Sequence, residues 1–239
     1  MSDRAVILAG GKGTRLHPYT VAFPKPLVPV GEYPVLEIII RQLRRAGITR
    51  VTLAVNHHAN LIQAYFGDGE AWGLRIDYSR ETEALSTIAP LRLIPDLPES
   101  FLLMNGDVLT DLDYRELWQA HRAADAMFTV AASTRRHTTD YGVLEVDASG
   151  RRLTGFREKP TSDFHVSMGV YVVDRRVVDG IPPTGPYGFD DLMLDLLARD
   201  APVYVHQHPG YWLDIGRPDD YARAADEFGQ LRARLLPDG

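Results

Sequence analysis

The chain has 239 residues, 45% hydrophobic and 24% charged, a globular composition with room for one large α/β domain or two small ones. Its formal net charge of -6 excludes a general nucleic-acid surface, which needs a basic face, so cations that meet phosphates must be concentrated locally. The absence of cysteine excludes disulfides, thiolate catalysis and cysteine-bound zinc or iron–sulfur sites.

At the start, Met1-Ser2-Asp3-Arg4 lacks the basic and apolar regions of a signal peptide. No stretch reaches the ~18 uninterrupted apolar residues of a membrane span, so a cytoplasmic protein with no membrane partner is expected. Residues 5–9 are an apolar run that stops at Gly10-Gly11, the pattern of a buried strand meeting a glycine loop. Residues 35–46 have helical spacing and end at Gly47. Residues 51–55 are strand-like and 59–66 amphipathic; 74–78 and 101–104 are further strands, the last running into Asn105-Gly106-Asp107. Asp113 and Glu116 form a capping-box pattern that opens a helix to about Ala124. Strands alternating with helices predict a mostly parallel sheet with right-handed crossovers.

After Ala126 the pattern changes. Residues 127–132, 142–146, 153–157 and 166–173 are β-rich and predict an antiparallel or mixed extension. Helices are then expected at 190–199 and from Pro218 to about Leu235. With no linker or repeat, 1–239 reads as one domain whose halves are roughly 1–125 and 126–239.

The first chemical motif is Leu8-Ala9-Gly10-Gly11-Lys12-Gly13-Thr14-Arg15-Leu16. Glycines after a strand let backbone approach a ligand, and successive N–H groups can form an anion nest. Arg15 adds a bidentate phosphate donor; a plain tight turn is the competing reading. Two familiar alternatives fail. The dinucleotide fingerprint needs a glycine where Leu16 stands, and the P-loop needs Ser or Thr where Gly13 stands. Ten residues past Arg15, Pro24-Lys25-Pro26-Leu27 stiffens the chain around one ammonium, unless Lys25 is an ordinary surface lysine.

The string from Gly10 to Thr20, Gly-Gly-x-Gly-Thr-Arg-Leu-x-Pro-x-Thr, followed by Pro-Lys-Pro-Leu, closely resembles the signature of sugar-1-phosphate nucleotidylyltransferases. Later landmarks recur in the family's order as far as Asp226. The resemblance implies an α/β Rossmann-like fold: a mostly parallel sheet with helices on both faces and an inserted mixed β sugar-binding subdomain. The first half would be mainly nucleotide-binding, and the second mainly sugar-binding. The loop Leu8, Ala9, Gly10, Gly11, Gly13, Thr14 and Arg15 would wrap the triphosphate, with Asn105 and Gly106 beside it. Arg15 and Lys25 would contact phosphates in catalysis.

The resemblance also implies that Asp107, and Asp214 in Trp212-Leu213-Asp214-Ile215-Gly216, hold Mg2+. Two carboxylates suffice for that hard cation, because phosphate oxygens and water complete its shell. Taken alone, each aspartate reads more readily as a turn or cap residue than as a metal ligand. Asp111-Leu112-Asp113 is similar to the Asp-x-Asp metal motif of glycosyltransferases, yet its place before a helix favours a cap.

Ser79-Arg80-Glu81-Thr82-Glu83-Ala84-Leu85-Ser86-Thr87 is most similar to the mannose-1-phosphate or manno-heptose-1-phosphate guanylyltransferases, with Ser86 and Ala89 standing where those have glycine. An ionised Glu81 accepts the two adjacent donors of guanine, whereas uracil or thymine suits an amide. GTP is therefore the expected nucleotide, with Ser86 and Thr87 in its site. A solvated Glu81 at a strand end is the alternative. Tyr141-Gly142, Glu158-Lys159-Pro160 and Ser167 align with the family's sugar-phosphate elements. Glu158 would accept sugar hydroxyls and Lys159 would neutralise the phosphate in catalysis, while Ser167 replaces the usual asparagine.

Other features take plainer readings: His57-His58 and His206-x-His208 as structural or exposed, Trp212 as packing, Asp190-Asp191 as a helix's first turn. The expected reaction joins an NTP to a sugar 1-phosphate and releases pyrophosphate. A uridylyl- or thymidylyltransferase, a noncatalytic nucleotide-sugar sensor and a glycosyltransferase are the competing readings. The chain lacks room for the hexapeptide-repeat domain of longer relatives, so a homo-oligomer would have to form by another surface.

Overall fold

The computed structural model describes residues 2–236 except 12, 22, 57 and 58, so the expectation for His57-His58 lies outside the described residues. The first half contains β1 (Arg4–Leu8), β2 (Pro29–Val30), β3 (Tyr33–Pro34), α1 (Val35–Ala46), β4 (Arg50–Val55), α2 (Ala59–Phe66), β5 (Arg75–Arg80), β6 (Ser100–Asn105), β7 (Val108–Thr110) and α3 (Tyr114–Ala123). The second contains β8 (Phe128–Thr138), β9 (Val143–Val146), β10 (Leu153–Arg157), β11 (Thr161–Asp174), α4 (Arg175–Asp179), α5 (Phe189–Ala198), β12 (Val203–Gln207), β13 (Trp212–Asp214) and α6 (Pro218–Leu235).

Seven strands form one sheet in the order β12-β8-β11-β6-β1-β4-β5. β1 pairs in parallel with β4 and β6, β4 with β5, and β12 with β8. β11 alone runs antiparallel, to β6 and β8. This is an α/β Rossmann-like fold. From β1 the chain first builds outward to β4 and β5, then returns to the other side with β6. Such a reversal opens a crevice at the carboxyl ends of the strands.

Both faces of the sheet are covered. Ala5 and Ile7 join a core with α1, α2, α3 and α6, whereas Val6 joins a second core with α4 and α5. Burial on both faces is why β1 reads as an uninterrupted apolar run. Ile38, Ile39, Ile40 and Leu43 anchor α1 with no exposed surface, each burial contributing about 1.5–3 kcal/mol. α1 ends at Gly47, as its spacing predicts, and Asp113 caps α3 by accepting from Arg115 N at 2.8 Å.

The largest departure is in the second half. The expected strands at 127–132 and 166–173 are the buried parts of much longer ones. β8 continues to Thr138 and β11 begins at Thr161, with their outer ends paired from Thr134↔His165 to Thr138↔Thr161. These exposed ends form an arm that carries the hairpin of β9 and β10. A criterion based on apolar runs sees only the buried part, because Thr134-Arg135-Arg136-His137-Thr138 has none. The short elements β7, α4, β12 and β13 also escaped detection. Among the described residues, no helix is long and apolar enough to cross a membrane.

Candidate active site

A cavity of about 550 Å3 opens in the crevice. After β1 it is lined by Leu8, Ala9, Gly10, Gly11, Gly13, Thr14 and Arg15; after β5 by Glu81, Ser86 and Thr87; and after β6 by Asn105, Gly106 and Asp107. Parallel pairing therefore brings three motifs separated by tens of residues to one wall.

The glycine loop is held from outside. Thr20 Oγ1 donates to the carbonyl of Gly13 at 2.7 Å, and Gly13 has φ +63°. A Cβ at Gly13 would fall 2.9 Å from Thr20 Cγ2, so the left-handed turn and the close packing both require glycine. Lys25 begins a single 3-10 turn flanked by Pro24 and Pro26, as expected of a stiffened lysine. Its side chain is only 11% exposed and its Nζ pairs with Asp107 Oδ2, so the surface-lysine reading fails. Arg15 stands exposed at the cavity mouth and makes no ion pair among the described residues.

Asp107 and Asp214 come together because β7 pairs antiparallel with β13, Asp214 opposite Val108, and Ile215 N donates to the Asp107 carbonyl at 3.0 Å. Burial pushes the Asp214 carboxyl upward, and Asp107 adds to this, while Lys25 and Arg15 pull it down. Asp107 Oδ1 is buried without a hydrogen-bond partner. An orphaned carboxylate oxygen beside a second carboxylate fits a hard divalent cation. No cluster of three or more His, Asp or Glu suited to a metal occurs among the described residues, so any ion here leans on oxygens from a ligand.

Glu81 lines the cavity, and Leu85 N donates to its Oε2 at 3.4 Å. Its Oε1 lies 3.0 Å from where a Cβ on Gly10 would stand. Burial raises its pKa above the ordinary value, opposed by the Leu85 N–H. Glu81 is thus partly buried in the cavity wall. Ser86 has φ +68°, the left-handed region costing a non-glycine residue about 1–2 kcal/mol.

A second cavity of about 300 Å3 adjoins the first, and Leu8, Thr87 and Asn105 line both. Ser167 and Asp214 line the second cavity. Ser167 Oγ is 3.0 Å from the hydroxyl of Tyr171, whose pKa burial pushes up to about 12. Trp212 packs as expected, donating from Nε1 to the Met168 carbonyl at 2.9 Å, but it also lines this cavity.

Tyr141, Gly142, Glu158 and Lys159 line neither cavity. They sit exposed around the arm, Tyr141 at 78%. They still gather there: a Cβ on Gly142 would fall 3.1 Å from Glu158 Oε2, and Lys159 takes φ +42°.

Motif reading missed Asn56, which follows β4 and lines the larger cavity, and Tyr171 and Phe189 in the smaller one. Asn56 had a usable signal, since it is the residue after an apolar parallel strand. Asp111 and Asp113 serve structural roles described below and at the α3 cap, and His208 bonds Asp111 at 2.9 Å. Asp190 and Asp191 occupy the first turn of α5, where Asp191 accepts from Gly188 N.

Residues 4–230 match the profile of a family described as nucleotidyl transferase. A UTP–glucose-1-phosphate uridylyltransferase from Synechocystis is 34% identical over 92% of this chain. A mannose-1-phosphate guanylyltransferase from Mycobacterium tuberculosis is 33% identical over 94% of it. The chain spans 62% and 64% of the lengths of these two relatives. Among solved structures, HddC from Yersinia pseudotuberculosis superposes with a TM-score of 0.73 at 25% identity, covering 94% of this chain and 99% of that one. HddC in complex with GMP-PN gives 0.72 at 24% identity, with the same coverage.

Proposed function

We propose that this chain, which belongs to the nucleotidyl transferase family, joins an NTP to a sugar 1-phosphate, releasing pyrophosphate and forming an NDP-sugar. The observation that carries this reading is the boundary between the two cavities. Asp107 lines the larger with the glycine loop, Asp214 lines the smaller, and one short ladder fixes both. In this reading the chain is one catalytic domain, 1–125 serving mainly the nucleotide and 126–239 mainly the sugar and the second carboxylate.

A sugar-phosphate oxygen attacks the α-phosphorus in line as pyrophosphate leaves. The second pKa of a phosphate monoester is near ~6, so the nucleophile is already largely ionised at neutral pH and needs no general base. Alignment and charge neutralisation then carry the rate. The loop N–H groups and Arg15 hold the triphosphate and Lys25 orients Asp107; Lys159, which lines neither cavity, is assigned to the incoming phosphate by the sequence resemblance alone. Asp107 and Asp214 would hold Mg2+, which when bound neutralises phosphate charge.

GTP is the nucleotide we assign. Glu81 is a half-buried carboxylate in the cavity wall, and an ionised carboxylate matches the paired donors of guanine. A mannose or manno-heptose 1-phosphate is the assigned acceptor class, from the same sequence resemblance. The name of the Synechocystis relative favours a second reading, uridylyl transfer to glucose 1-phosphate. A matrix of NTPs against sugar 1-phosphates, scored by pyrophosphate release, tests both. Faster release with UTP than GTP overturns the base assignment, and release with no pair overturns catalysis in favour of a sensor.

A further inference from the structure

Asp111 was singled out above as part of an Asp-x-Asp motif, yet it points away from any metal role. Its Oδ1 accepts from His208 Nε2 at 2.9 Å and from Tyr211 N at 2.7 Å, while Oδ2 accepts from the Arg234 guanidinium. Burial alone would raise its pKa, but these hydrogen bonds from His208, Arg234 and Tyr211 N hold it below the usual carboxylate range. The turn before Tyr211 is shaped around this carboxylate: a Cβ on Gly210 would fall 2.5 Å from Asp111 Oδ1.

The position of this knot gives it meaning. β7 and β13 have three residues each, pairing Thr110 with Trp212, Leu109 with Leu213, and Val108 with Asp214. At one end of the ladder stand Asp107 and Asp214. At the other, Asp111 N donates to the Tyr211 carbonyl at 3.3 Å, and Thr110 Oγ1 donates to the same carbonyl at 2.9 Å. A two-stranded ladder this short is marginal by itself. A slip of one residue would turn Asp214 to the opposite face, because side chains alternate along a strand.

We propose that Asp111 is a positioning residue that locks the register of β7 against β13 and thereby sets the spacing of Asp107 and Asp214. It acts through the backbone of Tyr211 and touches no substrate. Arg234 joins the lock from α6, and His208 from the end of β12, so three elements converge on one carboxylate.

The proposal rests on the reading of Asp107 and Asp214 as a divalent-cation site, and its test separates the two. Mn2+ binding to the full chain in the presence of GTP is titrated by electron paramagnetic resonance, with melting temperature measured in parallel. Asp111→Ala should weaken Mn2+ binding about 10-fold or more, as removal of outer-shell support does. Asp111→Asn, which keeps an acceptor for Tyr211 N, should stay within about 3-fold of the parent. Parental Mn2+ affinity in Asp111→Ala, with only the melting temperature lowered, overturns the proposal by making the carboxylate mere packing. Should Asp111→Ala not fold, Asp111→Leu, of similar shape and likewise without an acceptor for Tyr211 N, carries the test, and parental affinity in it overturns the proposal equally. Asp214→Asn is the control. If it binds Mn2+ as the parent does, the cation reading itself fails; if it alone loses Mn2+, only the register lock falls.

Discussion

The crevice and the arm both carry motif residues, but they are built differently. In the crevice, Lys25, Asp107 and Asp214 are fixed by paired strands, a proline-flanked turn and an ion pair, all continuous with the sheet core. On the arm, Glu158 and Lys159 stand in solvent at the end of two long strands whose outer halves bury nothing. The lesson is that charge which must meet phosphate and cation is preorganised, whereas the groups assigned to the sugar phosphate are held apart from both cavities.

The strongest attempt to break this contrast is Asp214→Asn in the crevice. Losing several kcal/mol of charge stabilisation should cut pyrophosphate release by about 10³-fold. Stability should move the other way. The folded-state pKa of Asp214 is raised, so its contribution is present in acid and is lost as pH rises through that raised value. Without divalent cation at neutral pH, the variant should therefore melt no lower than the parent, which calorimetry checks.

On the arm, Lys159→Ala removes the exposed charge assigned to the sugar phosphate. It should lower kcat/KM for the sugar 1-phosphate by about 10- to 100-fold, the loss expected of about 1.5–3 kcal/mol, with melting temperature unchanged. A variant that instead raised only the KM for GTP would detach the arm from the sugar site.

Glu81→Gln sharpens the comparison within the crevice by changing one acceptor. Relative preference for GTP over UTP should fall about 10-fold. Because the pKa of Glu81 is raised, protonation removes its acceptor at a higher pH than for an ordinary glutamate. The KM for GTP should thus climb as pH falls, while that of Glu81→Gln stays flat, as initial-rate profiles would show.

The smallest effect is expected at Ser86. Ser86→Gly relieves a left-handed residue and should raise unfolding free energy by about 1 kcal/mol in denaturant titration. No gain would mean that surrounding contacts already offset the strain.

How legible all this was depends on the kind of signal each part emits. The glycine loop and Lys25 were readable because their residues sit in contiguous strings, whereas Asp107 and Asp214 stood out only through the family resemblance. The sheet was readable where strands are buried on both faces, as at Ala5, Val6 and Ile7, since burial writes itself as apolar residues. The outer halves of β8 and β11 were not, because exposed pairing needs backbone hydrogen bonds and no particular side chains. Trp212 reads as a packing residue in the string, and only the fold shows that it also walls a cavity.

The sequence by itself determined the family, the α/β alternation and the residues that could meet phosphate, because local motifs and periodicity encode them. Only the tertiary structure decided that Asp107 and Asp214 share one short ladder, that Asn56 joins the larger cavity, and that Asp111 belongs to a lock. Those facts depend on which strands pair and in which register, and pairing between segments a hundred residues apart leaves no mark on either segment alone.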